Sequence, residues 1–173
     1  TLMHYVMLRL DFDRVGSVAE IKKQIEELVL NKSLTEKEAK IIRYTKIFNF
    51  FKSDLGKRIL KAHEEGRMVH RELPFFTEIS SLDINPELNK EIYQNEKIRL
   101  QGIIDGFFKE EDGIVLFDYK TDYLEEGNED EIIERYMVQM KYYKEALEKV
   151  TESRVKEVYL YLFALDKELL LKV

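Results

Sequence analysis

The chain has 173 residues, a hydrophobic fraction of 45% beside 36% charged residues, and a formal net charge of −6. That size fits one domain burying roughly 70% of its unfolded surface, and the composition excludes a disordered chain. With no cysteine, disulfides, thiolate zinc sites, iron–sulfur clusters and a cysteine nucleophile are all excluded, so any metal must sit on oxygen and imidazole.

The first predicted element is a helix already in progress at Thr1, with Leu2, Tyr5, Val6 and Leu8 apolar, which suggests a boundary within a longer polypeptide. Ser17 caps a second helix carrying Val18, Ile21, Ile25, Leu28 and Val29. Thr35 and Glu38 form a capping box for a third, which carries Ile41, Ile42, Ile47, Phe48 and Phe51. A fourth spans Leu55 to Glu64 and stops at Gly66. Beyond residue 66 the period changes. Val69 to Ile79 reads as a strand broken or turned at Pro74, and Pro86 marks a surface excursion. Ile98 to Phe108 and Ile114 to Thr121 read as a hairpin turning at Glu110 to Gly113. Glu129 to Val150 is a long helix, Val155 to Leu165 a strand, and Asp166–Lys167 a turn into a last short strand. The expected fold class is therefore α/β: a mixed sheet flanked by helices in residues 67–173, preceded by a helical part in residues 1–66.

The negative charge argues against binding nucleic acid by global attraction, so a DNA ligand needs something else to deliver it. No apolar run approaches the ~20 residues that span a bilayer, and no secretory signal opens the chain. The expectation is a cytoplasmic protein with no membrane partner.

Chemistry concentrates in Gly102-Ile103-Ile104-Asp105-Gly106 and Leu116-Phe117-Asp118-Tyr119-Lys120-Thr121. Asp105 and Asp118 lie in apolar strands, where an ionised carboxylate costs several kcal/mol to bury unless a cation or partner compensates it. Strand alternation points Asp118 and Lys120 the same way. In a hairpin, Asp105 approaches Asp118 on that shared face. Two hard oxygens converging there suit Mg²⁺ or Mn²⁺, and a lysine beside them suits phosphodiester hydrolysis. The plain alternative for an isolated Asp-x-Lys is a structural ion pair at a strand end.

Four blocks in order bear a further resemblance. Thr1-Leu2-Met3-His4, Arg71-Glu72-Leu73-Pro74-Phe75, Gly-x-Ile-Asp with Asp-Tyr-Lys-Thr, and Tyr136-x-x-Gln139-x-x-x-Tyr143-x-x-Ala146-Leu147 resemble the RecB-type nuclease domains of the PD-(D/E)XK superfamily. Within that group they are similar to the C-terminal nuclease domains of AddA-type helicase/nuclease subunits. The first block matches the end of a Gly-Thr-x-x-His signature whose glycine lies ahead of Thr1.

The resemblance implies a restriction-endonuclease-like core and a Mg²⁺-dependent exonuclease, with Mn²⁺ able to substitute. It implies that His4, Asp105, Asp118 and the Tyr119 carbonyl bind the metal, and that Lys120 positions the attacking water or stabilises the phosphate. Gln139 and Tyr143, four residues apart and so on one helix face, line the same cleft near the substrate backbone. Glu72 is a weaker candidate, as a supporting group or part of a second metal site. It further implies ATP-driven helicase domains elsewhere in the polypeptide, an AddB-like partner subunit, and single-stranded DNA as substrate during recombinational repair of double-strand breaks. Relatives with an iron–sulfur cluster hold it on four cysteines, which this chain lacks.

Without the resemblance, His4 is a packed or surface histidine and Tyr143 a core aromatic; His63 and His70 match no motif and are taken as ordinary. Two other functional readings stay open: a catalytically silent scaffold or DNA-binding module, and a repair nuclease acting alone.

Overall fold

A computed structural model describes residues 1–84, 87–122 and 127–173; the excursion expected at Pro86 lies outside the described residues. α1 spans Leu2–Arg9, and the Thr1 hydroxyl accepts from the His4 N–H at its first turn. A 3₁₀ turn follows over Phe12–Arg14. α2 (Val18–Leu30) is capped by Ser17 and α3 (Glu36–Ile41) by the Thr35/Glu38 box, both as the sequence indicates.

The third predicted helix is two helices. Ile42 turns extended and α4 (Tyr44–Lys52) starts anew after Arg43. In one helix Ile42 and Ile47 stand five residues apart and diverge by well over a right angle. The break lets both enter the core while Ile41 stays exposed. α5 (Asp54–Glu64) ends in a Schellman turn: Gly66, at φ +66, returns its N–H to His63 while Arg67 reaches back to Ala62.

The sheet has five strands in chain order: β1 (Val69–Ser80), β2 (Lys97–Glu110), β3 (Gly113–Lys120), β4 (Val155–Leu162) and β5 (Lys167–Leu171). β1 is not broken at Pro74, which pairs opposite Ile103. Because β1 is an edge strand, the missing proline N–H disturbs no central ladder. The irregularity falls two residues earlier, at Glu72, which takes φ +53 and drops out of register opposite Asp105. Two short helices that the sequence pattern does not signal, α6 (Ser81–Ile84) and α7 (Lys90–Tyr93), lie between β1 and β2. β3 and β4 are parallel and joined by α8 (Glu129–Thr151), while the other neighbours are antiparallel, so the sheet is mixed. β4 stops at Leu162, before a four-residue turn, shorter than expected.

Each face of the sheet has its own core. Phe108, Val115, Phe117, Tyr119, Tyr161 and Phe163 pack with α1, α2, α4 and α5. Ile104, Phe107, Leu116, Leu160 and Leu162 pack under Ile132, Met140, Ala146 and Leu147 of α8. Fixed helices on both faces hold the strand ends of the middle of the sheet in place. No helix among the described residues is long and apolar enough to cross a membrane.

Candidate active site

The β2–β3 ladder runs from Glu110 opposite Gly113 to Gly106 opposite Phe117 and then opens. β2 stays with β1 and β3 with β4, so the strands part at Asp105 and Asp118. Glycine allows the tight packing just before the gap. A Cβ on Gly106 would sit 2.1 Å from the Phe117 ring, and one on Gly102 would sit 2.7 Å from Phe75 and 3.3 Å from the Tyr143 hydroxyl.

Where the ladder stops, side chains take its place. The Tyr119 N–H donates to Asp105 Oδ2 at 2.7 Å, a bond that a neighbouring carbonyl makes in a continuous sheet. From α1, His4 Nε2 comes within 3.1 Å of the Tyr119 carbonyl oxygen and 3.0 Å of Asp105 Oδ2. The Thr1 hydroxyl holds the other ring nitrogen of His4. Asp105 thus reaches into the gap between the strands, and it lines the same cleft as Asp118 and Lys120. Arg71 fixes α1 against β1, donating to the carbonyl oxygens of Met7 at 3.2 Å and Leu10 at 2.6 Å.

On the α8 side, Lys120 Nζ lies 2.6 Å from Asp118 Oδ2 and donates to Gln139 Oε1 at 3.0 Å. Gln139 Nε2 in turn donates to the Tyr143 hydroxyl at 3.0 Å. The Tyr136 ring lies under the ammonium, 3.7 Å from it, and the Tyr136 hydroxyl donates to Asp122 at 2.6 Å. All seven predicted residues, His4, Asp105, Asp118, Tyr119, Lys120, Gln139 and Tyr143, line one open cleft of about 260 Å³. Glu72 instead borders a small adjoining space with His4, Asp105 and Tyr119. His63 and His70 stand apart from the cleft, the first against Asp13 and Phe12, the second stacked on Phe107.

The electrostatics are uneven. Asp118 is only 4% exposed. Burial pushes its carboxyl up to about 6, with the Asp105 charge adding to the shift and Lys120 opposing it. Its Oδ2 lies against the Lys120 ammonium at 2.6 Å as a buried ion pair and has no further hydrogen-bond partner among the described residues. Burial is the largest effect on His4 and works to lower it, but the hydrogen bond to Asp105 together with the Asp105 and Asp118 charges raises it overall. Burial lifts the Tyr143 hydroxyl to about 12, so it stays a neutral donor and acceptor.

The PD-(D/E)XK nuclease superfamily model matches residues 1–171. The chain belongs to that superfamily. It is also similar to AddA proteins, the A-type subunits of ATP-dependent helicase/nucleases. It is 51% identical over 169 residues to the one from Clostridium perfringens (strain 13 / Type A), covering 98% of this chain and 13% of that protein. The figures for Clostridium beijerinckii are 52% over 169 residues, 98% and 14%. For Thermoanaerobacter pseudethanolicus they are 50% over 161 residues, 93% and 13%. The chain thus spans about one-seventh of the length of these relatives.

For a PD-(D/E)XK nuclease, the mixed sheet with flanking helices is the expected setting. Donors of the kind that take a divalent cation are present: two carboxylates and a backbone carbonyl, which are hard, and an imidazole nitrogen. The buried Asp118 oxygen with no further hydrogen bond is the feature a cation would satisfy. Among the described residues no three His, Asp or Glu side chains already form a ligand cluster, since Asp118 is turned onto Lys120 and the Tyr119 donor is main chain. The sequence pattern does not single out the roles of Tyr136 and Arg71, although both stand inside the blocks that carry the family resemblance. The available signal for Tyr136 is its position three residues before Gln139, on the same helix face.

Proposed function

We propose that this PD-(D/E)XK nuclease domain hydrolyses the phosphodiester backbone of single-stranded DNA with Mg²⁺, which Mn²⁺ can replace, as one domain of a longer cytoplasmic helicase–nuclease. The observation that carries the reading is the Asp118 oxygen, buried beside Lys120 and the Asp105 charge with no further hydrogen bond. A carboxylate kept in that condition is an expense unless a ligand completes it.

In this reading His4, Asp105, Asp118 and the Tyr119 carbonyl hold the cation. When bound, it supplies Lewis acidity, acidifying water and offsetting the charge that grows on the phosphorus oxygens. Lys120 orients the attacking water or a phosphate oxygen with its ammonium, and the water oxygen forms the new P–O bond as the ester P–O bond breaks. Gln139 and the Tyr136 ring hold the ammonium in place, and Tyr143 keeps Gln139 turned toward it. The names of the relatives support a place beside a helicase; recombinational repair of double-strand breaks and an AddB-like partner subunit follow from the same resemblance. A helicase motor delivering the strand accounts for a nuclease domain of net charge −6.

The test is the full-length protein with its partner subunit, carrying Asp118→Ala or Lys120→Ala. Loss of strand cleavage with duplex unwinding retained is the expected result. Undiminished cleavage by both variants would remove these residues from the mechanism.

A further inference from the structure

β1 and β2 continue as a paired ribbon well past the point where β3 leaves them, from Leu73 opposite Ile104 out to Ser80 opposite Lys97. Its two faces differ. Phe75 and Ile104 are buried against α8, whereas Pro74, Phe76, Glu78, Arg99, Gln101 and Ile103 are exposed and alternate with them. Cross-strand pairing sets Pro74 opposite Ile103, Phe76 opposite Gln101 and Glu78 opposite Arg99, so these six residues form one surface. Phe76 is 61% exposed and Ile103 is 52% exposed. Other exposed apolar side chains, such as Ile92 and Val138, are scattered on helices, as ordinary surfaces allow.

What sets this surface apart is where it leads. Ile103 lines the cleft together with Asp105, Asp118 and Lys120. Phe76 stands beside Gln101, four residues from Asp105 along β2, or roughly 14 Å at the rise of an antiparallel strand. An exposed aromatic ring, an aliphatic neighbour and the exposed guanidinium of Arg99, whose surface pair with Glu78 is loose at 3.7 Å, running out of a phosphodiester cleft are the parts of a single-strand platform. There bases stack on ring faces, and cations follow the backbone. A duplex hides its base faces inside the stack, so such a surface serves unpaired nucleotides.

We propose that the exposed face of the β1–β2 ribbon is the track of the single-stranded substrate, with one base stacked on Phe76 about four nucleotides from the scissile phosphate, given ~3.4 Å per stacked nucleotide. The proposal rests on the nuclease reading above and deepens it by assigning where the strand lies.

The experiment uses the full-length protein with its partner subunit, acting on oligodeoxynucleotides in which a single abasic position is walked away from the cut. Phe76→Ala raises KM for single-stranded DNA about ten-fold, in the range that loss of one base–aromatic stack produces, with kcat nearly unchanged. One abasic position costs the wild type the same factor and costs Phe76→Ala nothing further. Leu30→Ser, on a remote exposed site, leaves KM unchanged. Independent, additive losses from Phe76→Ala and the abasic position would overturn the proposal, as would an unchanged KM. Dissociation of the partner subunit from Phe76→Ala would overturn it too, identifying the face as a protein interface. A 2-aminopurine base at the sensitive position reads stacking without cleavage. Its quenching in wild type and recovery in Phe76→Ala test the track even if Lys120→Ala cleaves normally and the catalytic reading fails.

Discussion

Both ends of the short β2–β3 ladder carry acids and cations, and the two clusters are built to opposite effect. At the turn end, Arg58 forks onto both oxygens of Glu110 at 2.9 Å each and reaches Glu157 at 2.6 Å, while Lys156 meets Glu110 at 2.6 Å and also holds Asp112. Glu110, Asp112 and Glu157 each have a cation there, and the Arg58 guanidinium holds the Glu110 carboxyl down at about 2. At the open end, burial drives Asp118 the other way, up to about 6, and leaves one of its oxygens with no hydrogen bond beyond the Lys120 pair. The turn end lowers the energy of its charges and ties α5 to the sheet. The open end keeps its charges high in energy, which is the condition of a site waiting for a ligand.

The largest expected difference is in chemistry. Lys120→Ala or Asp118→Asn lowers the cleavage rate by at least ~10²-fold, the scale of removing one group that stabilises transition-state charge. Asp118→Asn shifts the unfolding midpoint in urea less than Arg58→Ala does. A larger stability loss from Asp118→Asn would erase the contrast and return Asp118 to a structural role.

Next in size, Arg58→Ala costs about 2 kcal/mol of stability, less than a fully buried pair because the network is partly exposed. It leaves cleavage per folded molecule intact. Equilibrium denaturation with parallel activity measurements checks both halves.

The pH dependence separates the ends again. Glu110 is depressed in the fold, so its contribution is present above the ordinary glutamate range near 4.5 and is lost as pH falls from there toward 2. Asp118 is raised, so with divalent cations chelated, stability falls as pH climbs from near 4 to about 6, and Asp118→Asn removes that fall. Denaturation series over both windows, in parent, Arg58→Leu and Asp118→Asn, separate the two slopes. Smallest of all, Tyr143→Phe removes one hydrogen bond to Gln139 and slows cleavage by about three- to ten-fold. No change in rate would show that Gln139 holds Lys120 unaided.

The sequence reveals what short-range chemistry determines. Ser17, the Thr35–Glu38 box and Gly66 announce helix ends through hydrogen bonds made within a few residues. The β2–β3 hairpin follows from two apolar runs around Glu110 to Gly113, and Asp105, Asp118 and Lys120 stand out as charges in apolar strands. What depends on distant packing stays hidden. Nothing near Ile42 says that a sheet face will draw both it and Ile47 inward. Nothing near Pro74 says that β1 will be an edge strand able to carry it. The opening of the ladder is equally invisible, because it depends on β1 and β4 each keeping its own partner. Strand alternation brings Asp105 toward Asp118 but does not announce the bond by which it accepts from the Tyr119 N–H where the ladder has opened.

Whether the open end of the ladder holds a divalent cation is decided by calorimetric titration of the metal-free protein with Mn²⁺, in the parent and in Asp118→Asn. Binding to the parent that Asp118→Asn weakens at least ten-fold is the expected result. Equal binding by both proteins, or none by the parent, would contradict it.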